Sequence, residues 1–564
     1  MAKKYGRTQK QDHFATAVHV DIPRSTFFRN SSLKTVFDAG TLVPIYLDEV
    51  LPGDTFEMSI DFVSRLLTPV VPVMDRLIYD VYAFFVPNRI VWSQWERLIA
   101  NTNTQGAWIP TTPAPNIPTF SGNSGQEMVD VTSLGDYYGL PFGCIPDQVG
   151  GINSLPFRGY AMIWNEWFRD QNLQAPLMVN PNSNVEVAYP DYHYTYGPMQ
   201  VNKKHDYFTS CLPSPQKGES QLIPIAFNDV FPVFAMDDQP WVKSLVPMRM
   251  ANVDSAQGLV PQTGWHTMGV NSIAQGQERP FVRAVQGTVP SSTPSVNVAP
   301  SNLYADPRYT QATSTTISEL RTAFQVQRLY ERDARGGTRY REMLKAHFGV
   351  DVEDYRTQVP EYLGHITREA NFFQVAQTSS TTNTPQGNLS AFSYNVENGL
   401  LFKKTFVEHG FVHIFIVARV PRTYQNGIDK LWTRKERLDY YLPVLSHISE
   451  QPVYSREIYG LDVNPEEIFG YNEAWAEYRF KPNRVTGRMR DGVDNSFSVW
   501  HFADYYDSKP TLSSQWIADD SSARIMNSLA VDGNYGQILL DCAFKNTCTR
   551  EMPVHSIPGL VDHF

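Results

Sequence analysis

Cysteine is scarce in this 564-residue chain: Cys144, Cys211, Cys542 and Cys548 are the whole complement. They form no CxxC, and no His stands at metal spacing beside the last pair. That excludes a disulfide scaffold and leaves reduced, buried thiols in a protein made in a cytoplasm. Charge is scarce too, at 19% Asp, Glu, Lys and Arg, against the usual quarter. A large surface poor in charge suits a protein that packs against other protein, a trait shared by low-charge secreted enzymes. A basic excess is lacking. The net charge of -10 argues against a chain whose main work is coating nucleic acid, although a local basic patch stays open. No apolar run approaches the roughly 20 residues that span a bilayer. The polar start from Met1 to Arg7 has no signal-peptide core, so a soluble product is expected, without membrane insertion. Phosphate-loop and nucleophile-elbow patterns are also missing. His205-Asp206 lies near Ser210 and Cys211, but neighbours on an extended chain point apart, so catalysis is not expected there.

Aromatic and turn-forming residues are abundant: 29 Tyr, 32 Phe, 39 Pro and 34 Gly. That balance favours a β-rich body with long irregular connections. The length exceeds what one simple core supports, so one heavily elaborated domain or several layers are expected. Phe56, Met58, Ile60 and Phe62 alternate with Glu57, Ser59 and Asp61, the period of a half-buried strand. Leu77 to Val86 is almost continuously apolar and stops at Pro87, as a core strand would. Phe406 to Val417 and Ile538 to Phe544 add strands far along the chain. A kink or bulge is expected at Gly410 within the first of these. Strands near both ends mean that the two halves of the chain build one sandwich, not sequential domains.

Helical spacing appears at Tyr160, Ile163, Trp164, Trp167 and Phe168. A sugar platform is conceivable there, but core packing is the simpler expectation. Thr316 to Glu319 carries a capping box, Gly336-Gly337 breaks that helix, and a second is expected from Thr338 to Gly349, with Tyr340, Met343, Leu344 and Phe348 on one face. Residues 1–34 form a basic arm, with seven Lys and Arg against two acids, a net +5. Thr288 to Ser301 is low in complexity and almost uncharged, and is expected to project from the body. The pairs Asp48-Glu49 and Asp519-Asp520 are expected as solvated turns and not as calcium sites. From Ile468 to Arg490, Trp475, Tyr478 and Phe480 are interleaved with Arg479, Lys481, Arg484, Arg488 and Arg490. Such a run packs a wall, meets another copy, or lies along a polyanion.

Several stretches together resemble one family: Phe37 to Gly40, Asp48 to Asp54, Phe85 to Arg89, Trp164 to Arg169, His205 to Ser210 and Pro215 to Gly218. Glu331 to Tyr340, Phe469 to Gly487, Trp500 to Ala503 and Ser556 to Gly559 extend the match along nearly the whole chain. The chain resembles the major capsid proteins of microviruses, the small circular single-stranded DNA bacteriophages, in the gokushovirus branch. The resemblance implies a mainly β fold: an eight-stranded viral jelly roll with long loop insertions containing short helices, spanning 35–564. It implies an insertion at about 225–315 that forms threefold protrusions used in host attachment, with Thr288, Pro290, Pro294 and Asn297 on it. It implies a structural protein of the virion, made in the bacterial host's cytoplasm, without enzymatic activity or cofactor; no residue is assigned to a metal. Expected partners are other copies, the packaged DNA, a small basic DNA-binding virion protein, a pilot or minor virion protein and a host receptor. Lys3, Lys4, Arg7 and Lys10 are the first candidates to face DNA, with Arg484 and Arg488. Trp475, Tyr478, Arg479, Arg332 and Arg335 are assigned to subunit interfaces. The competing class is a β-sandwich carbohydrate-binding protein or glycoside hydrolase, suggested by 11 Trp and by carboxylates such as Glu166, Asp170 and Glu473. Such an enzyme needs two carboxyl groups facing each other across a cleft.

Overall fold

The computed structural model describes residues 22–100, 115–121, 129–187, 197–219, 317–382, 384–461, 464, 466–530 and 536–556, together with short strands between 233 and 305. The chain divides into two compact units, one of Met1–Lys217 with Tyr330–Phe564, the other Gly218–Leu329.

The larger unit is an antiparallel β-sandwich. Its strands are β1 (Arg24–Phe28), β2 (Ser31–Phe37), β3 (Val43–Val50), β4 (Thr55–Leu66), β5 (Ile78–Pro87), β6 (Glu361–Glu369), β7 (Asn395–Thr405), β8 (Gly410–Arg419) and β9 (Ile538–Glu551). In one sheet β1 and β2 share an edge of β9, which is followed by β4 and then β7. In the other the order is β6-β5-β8-β3. Neither sheet closes into a barrel among the described residues.

The two patterns seen in the sequence have different causes. Strand β4 is covered on one face only. Phe56, Met58, Ile60 and Phe62 enter the core between the sheets, while Glu57 and Asp61 face out and pair with Lys403 and Lys545 at 2.5 Å each. Strand β5 is covered on both faces. Tyr79, Val81, Ala83 and Phe85 fill the inter-sheet core, and Phe84 and Val86 join a second core with Leu155, Tyr160, Trp164 and Phe168. Burial on both sides makes the run continuously apolar.

The second core is built by helix α1 (Leu155–Ile163) and the wider π turn Trp164–Phe168 that continues it. The aromatic cluster is therefore packing. Tyr160 donates to the Leu42 carbonyl at 3.0 Å and the Trp164 indole to the Gln200 carbonyl at 2.8 Å. Gly159 lets the helix lie against β8, since a Cβ there would come within 2.9 Å of His413 Nε2.

Gly410 opens β8 and is not a bulge. The register shift falls between Ile414 and Phe415. Gly410 is needed for close approach, because a Cβ would meet the Val86 carbonyl oxygen at 2.4 Å. Helices α2 (Ile317–Gly336) and α3 (Tyr340–Phe348) are separated by Gly337 at φ +95 and closed by Gly349 at φ +68, angles that glycine adopts without a Cβ penalty. The residues expected on one face of α3 differ in burial. Tyr340 and Phe348 are exposed, and Met343 and Leu344 are half-buried.

The smaller unit shows short antiparallel ladders. Met250–Asp254 lies between Gly258–Val260 and Val298–Pro300, Thr267–Val270 pairs with Val282–Val285, and Val233–Ala235 pairs with Leu303–Ala305. No helix among the described residues is long and apolar enough to cross a membrane.

Candidate assembly surface

The run from Ile468 is set on the body by a short hairpin. Gln451–Tyr454 pairs with Ile468–Asn472, and the Leu212 amide donates to the Tyr471 carbonyl at 2.7 Å. The chain then turns sharply at Trp475, which takes the left-handed conformation at φ +63, uncommon for a bulky residue. Burial and hydrogen bonds hold it there. The side chain is buried, its indole N–H donates to the Leu445 carbonyl at 2.9 Å, and its ring meets Tyr441 and Tyr478 at centroid distances of 5.7 and 6.2 Å.

Beyond Trp475 a single turn, Ala476–Tyr478, points Tyr478 outward, half exposed. One face of its ring is covered by the Arg434 guanidinium at 4.3 Å, which also binds Glu477 at 3.2 Å. Phe480 turns inward and stacks on Tyr207 at 5.7 Å and 8°. The basic run is therefore not a uniform positive strip. Arg479 pairs with Glu473 at 2.6 Å and Lys481 with Asp429 at 2.7 Å. Burial alone would raise the Asp429 carboxyl. The Lys481 and Leu431 hydrogen bonds, with the charge of Arg484, outweigh it and hold Asp429 below its ordinary value.

Arg484 and Arg488 are exposed and make no salt bridge among the described residues. Arg484 lines an open cleft with Tyr207, Phe208, Tyr424 and Phe480. On α2, Arg335 pairs with Glu450, whereas Arg332 is exposed and makes no salt bridge among the described residues. Lys3, Lys4, Arg7 and Lys10, and Thr288, Pro290, Pro294 and Asn297, lie outside the described residues. The carboxylates that suggested a glycosidase are held by local bonds. Glu166 lies 3.5 Å from Arg339, Glu473 binds Arg479, and Asp170 accepts from the Asn172 and Leu173 amides at 2.8 and 2.9 Å. His205 is exposed, Asp206 accepts from Tyr424 at 2.7 Å, and burial pushes the Cys211 thiol up.

A buried ionic cluster underlies this surface, and the sequence carried no signal for it. Arg422 bonds Asp519 at 2.8 Å, Asp504 at 3.3 Å and also Asp520; Arg524 binds Asp504 and, at 2.7 Å, Asp520. Lys203 lies 3.7 Å from Asp520 and 4.6 Å from the Trp516 ring centre. Asp519-Asp520 is thus no solvated turn: Asp519 is buried and only Asp520 is partly exposed. Desolvation pushes the Asp504 carboxyl up to about 7 in spite of Arg422. Burial alone would lower the Arg422 guanidinium; the charges of Asp519, Asp504 and Asp520 outweigh it and hold Arg422 above its ordinary value. Asp48 is likewise buried, bound by Arg29 at 2.6 Å and Tyr46 at 2.8 Å. In both places the partner is distant in sequence, so a local pair of acids looked like an exposed turn.

A two-sheet wall bearing long insertions and anchored aromatic surface segments has the build of a structural protein that meets other protein. The comparisons make this specific. The family described as Capsid protein (F protein) matches residues 16–560. The chain is similar to Capsid protein VP1 of Bdellovibrio phage phiMH2K, 39% identical and covering all of both chains. It is 37% identical to Capsid protein VP1 of Chlamydia phage 1 over 98% of each chain, and 38% identical to that of Spiroplasma virus 4 over 99% and 100%. The chain belongs to the Capsid protein (F protein) family and is a bacteriophage structural protein of the microvirus type, not an enzyme.

Proposed function

We propose that this chain is a major capsid protein whose copies assemble into a small icosahedral shell around a circular single-stranded DNA genome. The observation that carries the reading is the strand order. With β1 and β2 counted as one strand, the order β2-β9-β4-β7 facing β3-β8-β5-β6 supports an eight-stranded viral jelly roll, in which successive strands cross between the two sheets except β5 and β6, which pair within one. Full-length similarity to three phage capsid proteins supports it.

In this reading the sandwich is the shell wall. The compact unit Gly218–Leu329 contains the expected insertion at 225–315 and forms the threefold protrusion that contacts the host, with Thr288, Pro290, Pro294 and Asn297 at its variable part. The arm carrying Lys3, Lys4, Arg7 and Lys10 faces DNA, as do Arg484 and Arg488, which make no salt bridge among the described residues. Tyr478, Arg479, Arg332 and Arg335 belong to contacts between copies, and Trp475, expected among them, serves from beneath as a buried anchor. A small basic virion protein supplies most of the remaining phosphate neutralisation, in keeping with a net charge of -10. A pilot or minor virion protein completes the particle, and synthesis takes place in the host cytoplasm. The test is negative-stain imaging and nuclease protection of particles from cells making the chain in its phage. Closed shells with protected single-stranded DNA are expected. A chain that remains monomeric and absent from the particles overturns the reading.

A further inference from the structure

One segment of the larger unit presents six large apolar side chains to solvent. Between Ile428 and Ile448 the chain runs as three single turns, Lys430–Trp432, Arg437–Asp439 and Pro443–Leu445. Leu431, Trp432, Leu438, Tyr440, Tyr441 and Val444 point outward, with Trp432 74% and Val444 91% exposed. At about 200 Å² for each large side chain, these six exposures leave on the order of 700 Å² of apolar surface. That is of the same order as the roughly 300–600 Å² of the largest patch on an ordinary monomer and the roughly 800 Å² that each partner contributes to a stable interface.

The segment is held from beneath. Asp429 caps its first turn, accepting from the Leu431 amide at 3.1 Å, and is itself bound by Lys481 at 2.7 Å. The Leu445 carbonyl accepts the Trp475 indole, and the Tyr441 amide donates to Tyr478 at 3.3 Å. Arg434 is engaged by Glu477. A surface fixed in this way loses little conformational entropy when it is covered.

The charges around it decide what covers it. Exposed Lys435 and Arg437 are balanced by Glu436 and Asp439. A polyanion or an anionic membrane surface would require a basic excess. A neutral rim around an aromatic centre is the composition of a protein interface.

We infer that the segment Ile428–Ile448 docks a second copy of this chain, with Trp432 and Val444 at the centre of the contact. The inference rests on the assembly reading above and names one of its interfaces. Trp475 serves it as a positioning residue, by holding Leu445 and Tyr441 from below.

Sedimentation velocity on the full-length chain tests it, with three forms compared: wild type, the double variant Trp432→Glu with Val444→Glu, and Val407→Glu. Val407 is 84% exposed in the loop between β7 and β8, outside the segment. The double variant is expected to keep the wild-type circular dichroism and melting temperature while its association weakens at least tenfold. Val407→Glu is expected to associate as wild type does. A double variant that associates normally overturns the inference, as does equal loss in Val407→Glu. A double variant that associates normally but loses another virion protein from the particle also overturns it, assigning the surface to that protein. Wild-type chain that stays monomeric at every concentration sinks the assembly reading itself, and is distinct from these outcomes.

Discussion

Arg422 joins segments that meet only in the folded chain, and replacing it with Met tests whether the buried ionic cluster holds them. The guanidinium is nearly inaccessible and contacts three carboxylates, two of them buried. Met matches its apolar stem but supplies no charge, so Asp519 and Asp504 are left with less compensation. Removing one member of a buried pair costs about 3–5 kcal/mol, or roughly 150- to 4,000-fold in the equilibrium for local opening. The backbone reports on that opening directly. The Asp504 amide donates to the Thr423 carbonyl at 2.7 Å and the Asp519 amide to the Val201 carbonyl at 2.8 Å. Hydrogen exchange at these two amides, corrected for intrinsic rates, is expected to accelerate by at least a hundredfold. Strand β5, buried between two cores, is expected to exchange unchanged until global unfolding.

The pH dependence follows from Asp504. Its carboxyl stands near 7 in the folded chain against 3.8 as the ordinary value, so the folded state holds the extra proton. The stability that proton contributes is fully present below 3.8 and is lost as pH rises through about 7. Losing Arg422 pushes the group up further, so the variant is more damaged at pH 8 than at pH 6, by about 1.4 kcal/mol per unit above 7. Asp504→Asn, which makes the neutral form permanent, is expected to cost much less than Asp519→Asn. Exchange within threefold of wild type in Arg422→Met, or equal damage from the two Asn variants, refutes the reasoning.

His413 is buried beneath α1, accepts or donates at Tyr138 across 3.0 Å, and is held near pKa 3 by desolvation. Its contribution is fully present above 6.5 and lost as pH falls towards 3, amounting to about 2.7 kcal/mol two units below 6.5. Urea midpoints for His413→Phe are expected to start lower at pH 7 and fall less by pH 4.5; an unchanged pH slope defeats this. Gly410→Ala drives a Cβ into the Val86 carbonyl, and is expected to cost about 2 kcal/mol or more by strand displacement. A melting temperature equal to wild type contradicts that. Arg484→Gln with Arg488→Gln is expected to lower packaged DNA, read as the 260/280 nm absorbance ratio of purified particles, while shells still form. Failure to form shells moves both residues to a subunit contact.

The periodicities that the sequence made legible were those with local causes. Strand β4 was visible because alternate residues meet one core and solvent, and β5 because both its faces are covered. The break at Gly336-Gly337 and the end at Gly349 were visible because only glycine adopts those angles freely. The joining of both chain halves in one sandwich followed from finding strands near each end. Full-length likeness to a capsid family was also present in the letters alone. Charge was different. The run from Arg479 to Arg490 looked continuously basic, yet Glu473 and Asp429 neutralise part of it in space. Asp48 and Asp519 looked like turn residues, yet arginines 19 and 97 positions away bury them as ion pairs. Tyr340 and Phe348 had helical spacing but remain exposed, because periodicity says that a face is apolar and not what covers it. Local backbone chemistry is written along the chain; which charges meet, and which apolar faces are left for another molecule, depends on distances that only the folded chain creates.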